Sequence, residues 1–211
     1  MKTPAFILLA AATVACAAPP ATITLPAPDT KAGMPLMQAL NARRSDREFS
    51  PKTLPLDVLA NLLWAADGIN RPDGRRTAPS ANNHQTIDVY AVFADAAYLY
   101  NAKERRLELV ATGDLRAATG LQAYVATAPL NLVYVSDYAK MPNASESDKQ
   151  FLGGAETGFI GQNVYLYCAS EGLATVIRAS VNREPLAKAL KLRPEQRITL
   201  AQTVGYPQAR P

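Results

Sequence analysis

The stretch from Asp148 to Glu171 constrains this chain more than any other. It contains no proline. Wound at about 3.6 residues per turn, it carries Phe151, Leu152, Ala155, Phe159, Ile160, Val164, Leu166, Tyr167 and Ala169 on nearly every side. A helix that is apolar all round has to be covered all round, in a core or in a subunit interface. The segments that could cover it alternate in character. Leu130 to Val135, after Pro129, is a continuous apolar run, expected as a strand covered on both faces. Ile87 to Phe93 alternates as a strand does, and Tyr98 to Tyr100 with Leu107 to Val110 reads as a hairpin. Ala174 to Ile177 and Ile198 to Val204 read as strands around a short helix at Pro185 to Leu190. Met34 to Arg43, Leu56 to Ala66 and Asp114 to Thr127 read as further helices, with Arg71 to Gln85 and Met141 to Ser147 as loops. Helices and strands mix without a regular βαβα rhythm, so the class is α+β.

With 211 residues, 48% of them hydrophobic, the chain has the material for one well-buried domain. The balance of 22 basic and 18 acidic residues leaves a net charge of only +4. With no long Lys/Arg tract, this argues against a nucleic-acid partner. Two cysteines and one histidine cannot build a zinc site, and any thiol–histidine or serine–histidine scheme would have to use His84.

At the N-terminus, Lys2 precedes an apolar run from Phe6 to Ala15, followed by small residues through Ala18. Residues 1–17 therefore read as a secretory signal, too short to span a bilayer. Two processing routes stay open. One is cleavage after Ala17. The other is a lipobox-like Thr13-Val14-Ala15-Cys16, in which Cys16 carries the lipid. The Pro/Ala-rich stretch 18–33 has the composition of a linker, and the domain occupies 34–211. Export to the periplasm or a lipid anchor follows, with any membrane contact confined to that anchor. Cys168, in the buried helix, is then the one thiol left in the domain and reads as a small core residue, as Trp64 reads as core.

Two polar clusters stand out. Arg43-Arg44-Ser45-Asp46-Arg47 sets three guanidiniums and a hydroxyl within five residues at the end of the first helix. Guanidinium forks match phosphate oxygens in pairs, while a basic helix end complementing the helix dipole is the plainer alternative. Ala78 to Gln85 is dense in groups that both donate and accept hydrogen bonds, and it is stiffened by Pro79. It suits the edge of a carbonyl-bearing heterocycle or, more simply, a surface turn.

Arg43 to Phe49, read as Arg-Arg-Ser-x-Arg-x-Phe, resembles the flavin-phosphate signature of the FMN-dependent nitroreductase family. Pro79 to Gln85 is similar to that family's Pro-Ser-x-x-Asn-x-Gln loop. Gly161-Gln162-Asn163, running on to Gly172-Leu173-Ala174-Thr175, resembles its Gln-Asn helix and following turn, and Gly205-Tyr206-Pro207 its closing Gly-x-Pro. Within the family the chain looks closest to the thiazoline/oxazoline dehydrogenase-like branch, although the Lys–Tyr pair used there for azoline oxidation has no match.

The resemblance implies a mixed central sheet flanked by helices, a homodimer with FMN at its interface, and the long helix as the dimer core. It implies that Arg43, Arg44, Ser45, Arg47 and Arg210 hold the phosphate and ribityl side. Asn83 would bond the isoalloxazine, with Pro79, Ser80 and Ala81 approaching from the second subunit. Ile177, Arg178 and Ala179 would line the ring, Arg178 placing positive charge near the N1/O2 edge. His84 could relay a proton or simply bond within its loop. Tyr138 to Ser147 is the one loop long enough to cover a substrate. The implied activity is ping-pong hydride or electron transfer through flavin N5, with NAD(P)H as a donor and a small organic molecule as the partner substrate. Two alternatives remain: a dehydrogenase of peptides or metabolites at the cell surface, and a lipoprotein that binds flavin or another ligand without turnover.

Overall fold

The computed structural model describes residues 18–209, so the expected signal 1–17 with Cys16, and Arg210, lie outside the described residues. Seven strands form one sheet: β1 (Thr22–Thr24), β2 (Ile87–Val92), β3 (Ala96–Asn101), β4 (Arg106–Thr112), β5 (Leu130–Asp137), β6 (Ala174–Arg178) and β7 (Gln196–Gly205). Their order is β1-β4-β3-β2-β5-β7-β6. The helices are α1 (Leu36–Ala42), α2 (Leu56–Asp67), α3 (Glu146–Ser170) and α4 (Arg183–Ala189).

The α+β class is as expected, but the sheet is not mixed, because every neighbouring pair is antiparallel. β5 and β6 do run the same way, joined by the long crossover α3. However, β7 lies between them, antiparallel to both. All eight residues of β5 are buried, as a strand covered on both faces requires. One face is sealed by α2 and α3, where Leu59, Leu62, Leu63, Ile160 and Val164 meet Val89, Ala91, Leu132 and Tyr134. On the other, Leu186 and Leu190 at α4 meet Tyr90, Val92, Val133 and Ile198. Each such buried leucine contributes about 2 kcal/mol through the area it removes from water.

α3 starts slightly earlier than its apolar pattern suggests. Ser145 Oγ accepts the Asp148 N–H at 3.1 Å, and Glu146 and Asp148 stand in the first turn, where negative charge offsets the helix dipole. A single chain covers only one side of it. Glu156, Ile160, Val164 and Cys168 face inward, while Phe151 and Phe159 remain 73% and 46% exposed.

Two other expectations are corrected. Asp114 to Thr127 is not a helix but two 3-10 turns, Arg116–Thr119 and Ala123–Ala126. Between them Gly120 is extended, with φ −175° and ψ 167°, so no helix runs through, and the Thr119 carbonyl accepts from Arg178 Nη2 at 3.1 Å. The 18–33 stretch also does more than link. Thr22–Thr24 pairs with Glu108, Leu107 and Arg106, and Leu25 is buried. The segment then straps across the helices, with the Asp29 N–H on Asn61 Oδ1 at 2.8 Å and the Met34 N–H on Ser170 Oγ at 2.7 Å.

Candidate functional site

The Arg43–Arg47 segment leaves α1 and turns along the ends of β6 and β7. The Asp46 N–H donates to the Thr175 carbonyl at 2.9 Å, and the Ser50 N–H to the Tyr206 carbonyl at 2.9 Å. The Gln208 N–H reaches the Glu48 carbonyl at 3.1 Å, two residues short of Arg210. Gly205 is required where these strands meet, since a β-carbon there would stand 2.8 Å from the Pro129 ring. Arg44, Ser45 and Arg47 are exposed, and Arg43 is half-buried with its guanidinium 5.4 Å from the centre of the Tyr165 ring. Ser45 Oγ lies 2.8 Å from Tyr165 Oη, which accepts the Ile177 N–H at 3.0 Å. Asp46, 3.6 Å from Arg44, is the one carboxylate ion-paired with this cluster among the described residues. The cluster is therefore net positive. A cavity of about 180 Å³ opens beside it, lined by Arg44, Asp46, Tyr165 and Thr175 among others.

The ring-lining segment is less directly presented. Ile177 turns its side chain toward α3, where a β-carbon at Gly161 would stand 2.5 Å from Ile177 Cδ1. Gly161 of the Gln-Asn helix is thus needed for this packing, and Ile177 is half-buried. Arg178 is buried, with Nη1 donating to Thr203 Oγ1 at 2.6 Å and Nη2 to Asn131 Oδ1 at 2.9 Å and to Thr119. All these acceptors are neutral, and burial pushes its pKa down to about 10, so it stays cationic at neutral pH. Arg178 Nε and Gln122 Oε1 are buried with no hydrogen-bond partner among the described residues. Ala179 is exposed just beyond β6.

Pro79 to Gln85 is held in an unusual shape. Asn82, Asn83 and Gln85 all adopt left-handed backbone angles, with φ of 50°, 57° and 49°. Such residues cost about 1–3 kcal/mol each and persist only where their surroundings enforce them. Here Glu156 of α3 enforces them. Its Oε1 accepts from Ser80 Oγ at 2.8 Å and the Ala81 N–H at 3.1 Å, and its Oε2 from Thr86 Oγ1 at 2.6 Å and the Thr86 N–H at 3.2 Å. Ser80 Oγ also accepts the Gln85 N–H at 2.7 Å, and Arg76 Nε donates to Gln85 Oε1 at 3.0 Å. Asn83 is exposed and lines, with Arg71, Arg75 and Arg76, a cavity of about 490 Å³. The His84 N–H closes the turn on the Ala81 carbonyl at 3.0 Å.

The two clusters hang from one helix, at Glu156 and Tyr165, nine positions apart and so about 13 Å along its axis. No cavity described for a single chain is lined by both. The Tyr138 to Ser147 loop is held at its Lys140–Met141 end. Lys140 Nζ donates to Asp88 Oδ1 at 2.7 Å and to the Gln85 carbonyl at 3.0 Å, and Met141 is buried. Cys168 is enclosed, and burial raises its thiol pKa far above the ordinary range.

The donor set of Arg43, Arg44, Ser45 and Arg47 fits the phosphate of FMN. One chain presents the ring end only in part. Sequence reasoning missed Tyr165, Glu156 and Gln122. An acid set into an otherwise apolar helix was the available signal for Glu156.

The sequence model of the nitroreductase family matches residues 40–206. A candidate nitroreductase of Methanocaldococcus jannaschii is 29% identical over 169 residues, 75% of this chain and 85% of its own. The crystal structure of a candidate nitroreductase from Ralstonia eutropha aligns with a TM-score of 0.87 at 42% identity, over 90% of this chain and 91% of that one. The NADPH:FMN oxidoreductase of Vibrio harveyi, solved with NAD+, shares the fold at a TM-score of 0.63 and 21% identity, over 83% of this chain and 70% of that one.

Proposed function

Because the chain belongs to the nitroreductase family, we propose that it is an FMN-dependent oxidoreductase working as a homodimer. The observation that carries this reading is the exposed, net-positive Arg43–Arg47 segment, fastened to β6 and α3 beside an open cavity. In this reading Arg43, Arg44, Arg47 and Arg210 bind the phosphate, and Ser45 donates a hydrogen bond to it. Ile177, Arg178 and Ala179 border the ring, where the Arg178 charge favours an anionic reduced cofactor. Pro79, Ser80, Ala81 and Asn83 come from the second subunit, in keeping with their distance from the phosphate cluster in one chain. Held there, FMN supplies a two-electron redox centre that accepts hydride from one substrate and returns it to another. The name of the Vibrio harveyi protein supports NAD(P)H as the donor.

Two finer parts belong to the same reading. The branch is the one with thiazoline/oxazoline dehydrogenase-like members. The working site is the periplasm, reached through residues 1–17, with Cys16 or Ala18 as the mature N-terminus.

The test is the double variant Arg43→Ala/Arg47→Ala. Both positions are on the surface segment, so the fold and the dimer should persist while bound flavin drops to below a tenth of wild type, measured by absorbance of the released chromophore. Full flavin occupancy in that variant overturns the phosphate assignment.

A further inference from the structure

Resting on the flavin reading, we propose that Tyr165 is a positioning residue that fixes the hydroxyl proton of Ser45 toward the bound phosphate and holds Arg43 beside it. The protons around Tyr165 have little choice. The Ile177 N–H can only donate, and it donates to Tyr165 Oη at 3.0 Å. Tyr165 is only 8% exposed, and the one acceptor its own proton meets among the described residues is Ser45 Oγ, at 2.8 Å. A buried phenol proton left unpaired costs about 1–3 kcal/mol, so Tyr165 donates and Ser45 accepts. The Ser45 proton is then displaced from the protein side and points out to the exposed face, where Arg44 and Arg47 also stand. A serine free to rotate would spend part of its time accepting from those arginines or from water. With one lone pair taken by Tyr165, its proton is turned outward and available to an anion.

The same ring carries Arg43, whose guanidinium lies 5.4 Å from its centre. One side chain on α3 thus organises a hydroxyl and a cation of the cluster and ties both to the backbone of Ile177 on β6. Phenylalanine would preserve the ring and its contact with Arg43 but remove the ordered proton.

The experiment titrates flavin-free wild type, Tyr165→Phe, Ser45→Ala and the double variant with FMN and with riboflavin, following quenching of flavin fluorescence. Riboflavin has the ring and ribityl chain without the phosphate. Tyr165→Phe should weaken FMN by up to about tenfold, because a Ser45 hydroxyl no longer held as a donor loses part or all of its hydrogen bond to the charged phosphate, and leave riboflavin within twofold. Ser45→Ala, at an exposed position, should reproduce that pattern, and adding Tyr165→Phe to it should cost little more. Equal losses for FMN and riboflavin, unchanged FMN affinity, or fully additive losses in the double variant each overturn the role of Tyr165. A wild type that binds neither flavin overturns the cofactor assignment itself, and this inference falls with it.

Discussion

Asp67 shows how much a single buried residue can be made to depend on pH. It closes α2 with its side chain 10% exposed, and Arg76 Nη1 lies 3.1 Å from its Oδ2. Burial outweighs that attraction and pushes its pKa up from 3.8 to about 7. Between about pH 4 and 7 the folded protein therefore holds a proton that the unfolded chain has released. This group's contribution is complete below pH 4 and is lost as pH rises through 7. Asp67→Asn removes the titration. Its melting temperature relative to wild type should climb from pH 4 to pH 8, by the equivalent of a few kcal/mol, at about 1.4 kcal/mol per pKa unit. A difference that stays flat across that range contradicts the assignment. The residue scale also marks the limit of reading the sequence. Arg43–Arg47 and Pro79–Gln85 were legible because each is a contiguous run with its own chemistry. The side chains that hold them were not, because Tyr165 reaches Ser45 across 120 positions and Glu156 reaches Ser80 across 76.

Among the elements, α3 was the most legible and the most informative. Its all-round apolar pattern called for cover on every side, and one chain covers only the side bearing Ile160, Val164 and Cys168. Phe151 and Phe159 are left exposed on it, and Leu36, Met37 and Leu40 of α1, which packs on α3, are exposed as well. In the proposed dimer this surface meets its copy. Phe151→Asp/Phe159→Asp should then shift the mass measured by light scattering from dimer to monomer, with loss of flavin because the site draws on two chains. An unchanged dimer contradicts that interface. The misread elements failed for local reasons. Asp114 to Thr127 has helical composition, but Gly120 in its middle is extended, where a β-carbon would run into Arg178 Nε. β1 is three residues long among prolines, and only its pairing with β4 makes it a strand. The mixed sheet was implied by the resemblance, whereas β7 inserting between β5 and β6 makes those pairs antiparallel, which no local pattern records.

At the scale of the whole molecule, four short motifs in the right order carried more than any composition argument. The family they suggested is the one whose model spans residues 40–206. The structure supplies physical reasons for two of them. Gly161 makes room for Ile177, and Gly205 for Pro129 and Phe49. The account rests on the claim that this scaffold carries FMN. The most direct test is the visible absorption spectrum of the purified protein, residues 18–211, with the released chromophore identified by mass. The prediction is a pair of flavin bands and a chromophore with the mass of the mononucleotide, close to one per chain. A colourless protein that also fails to take up added FMN contradicts it.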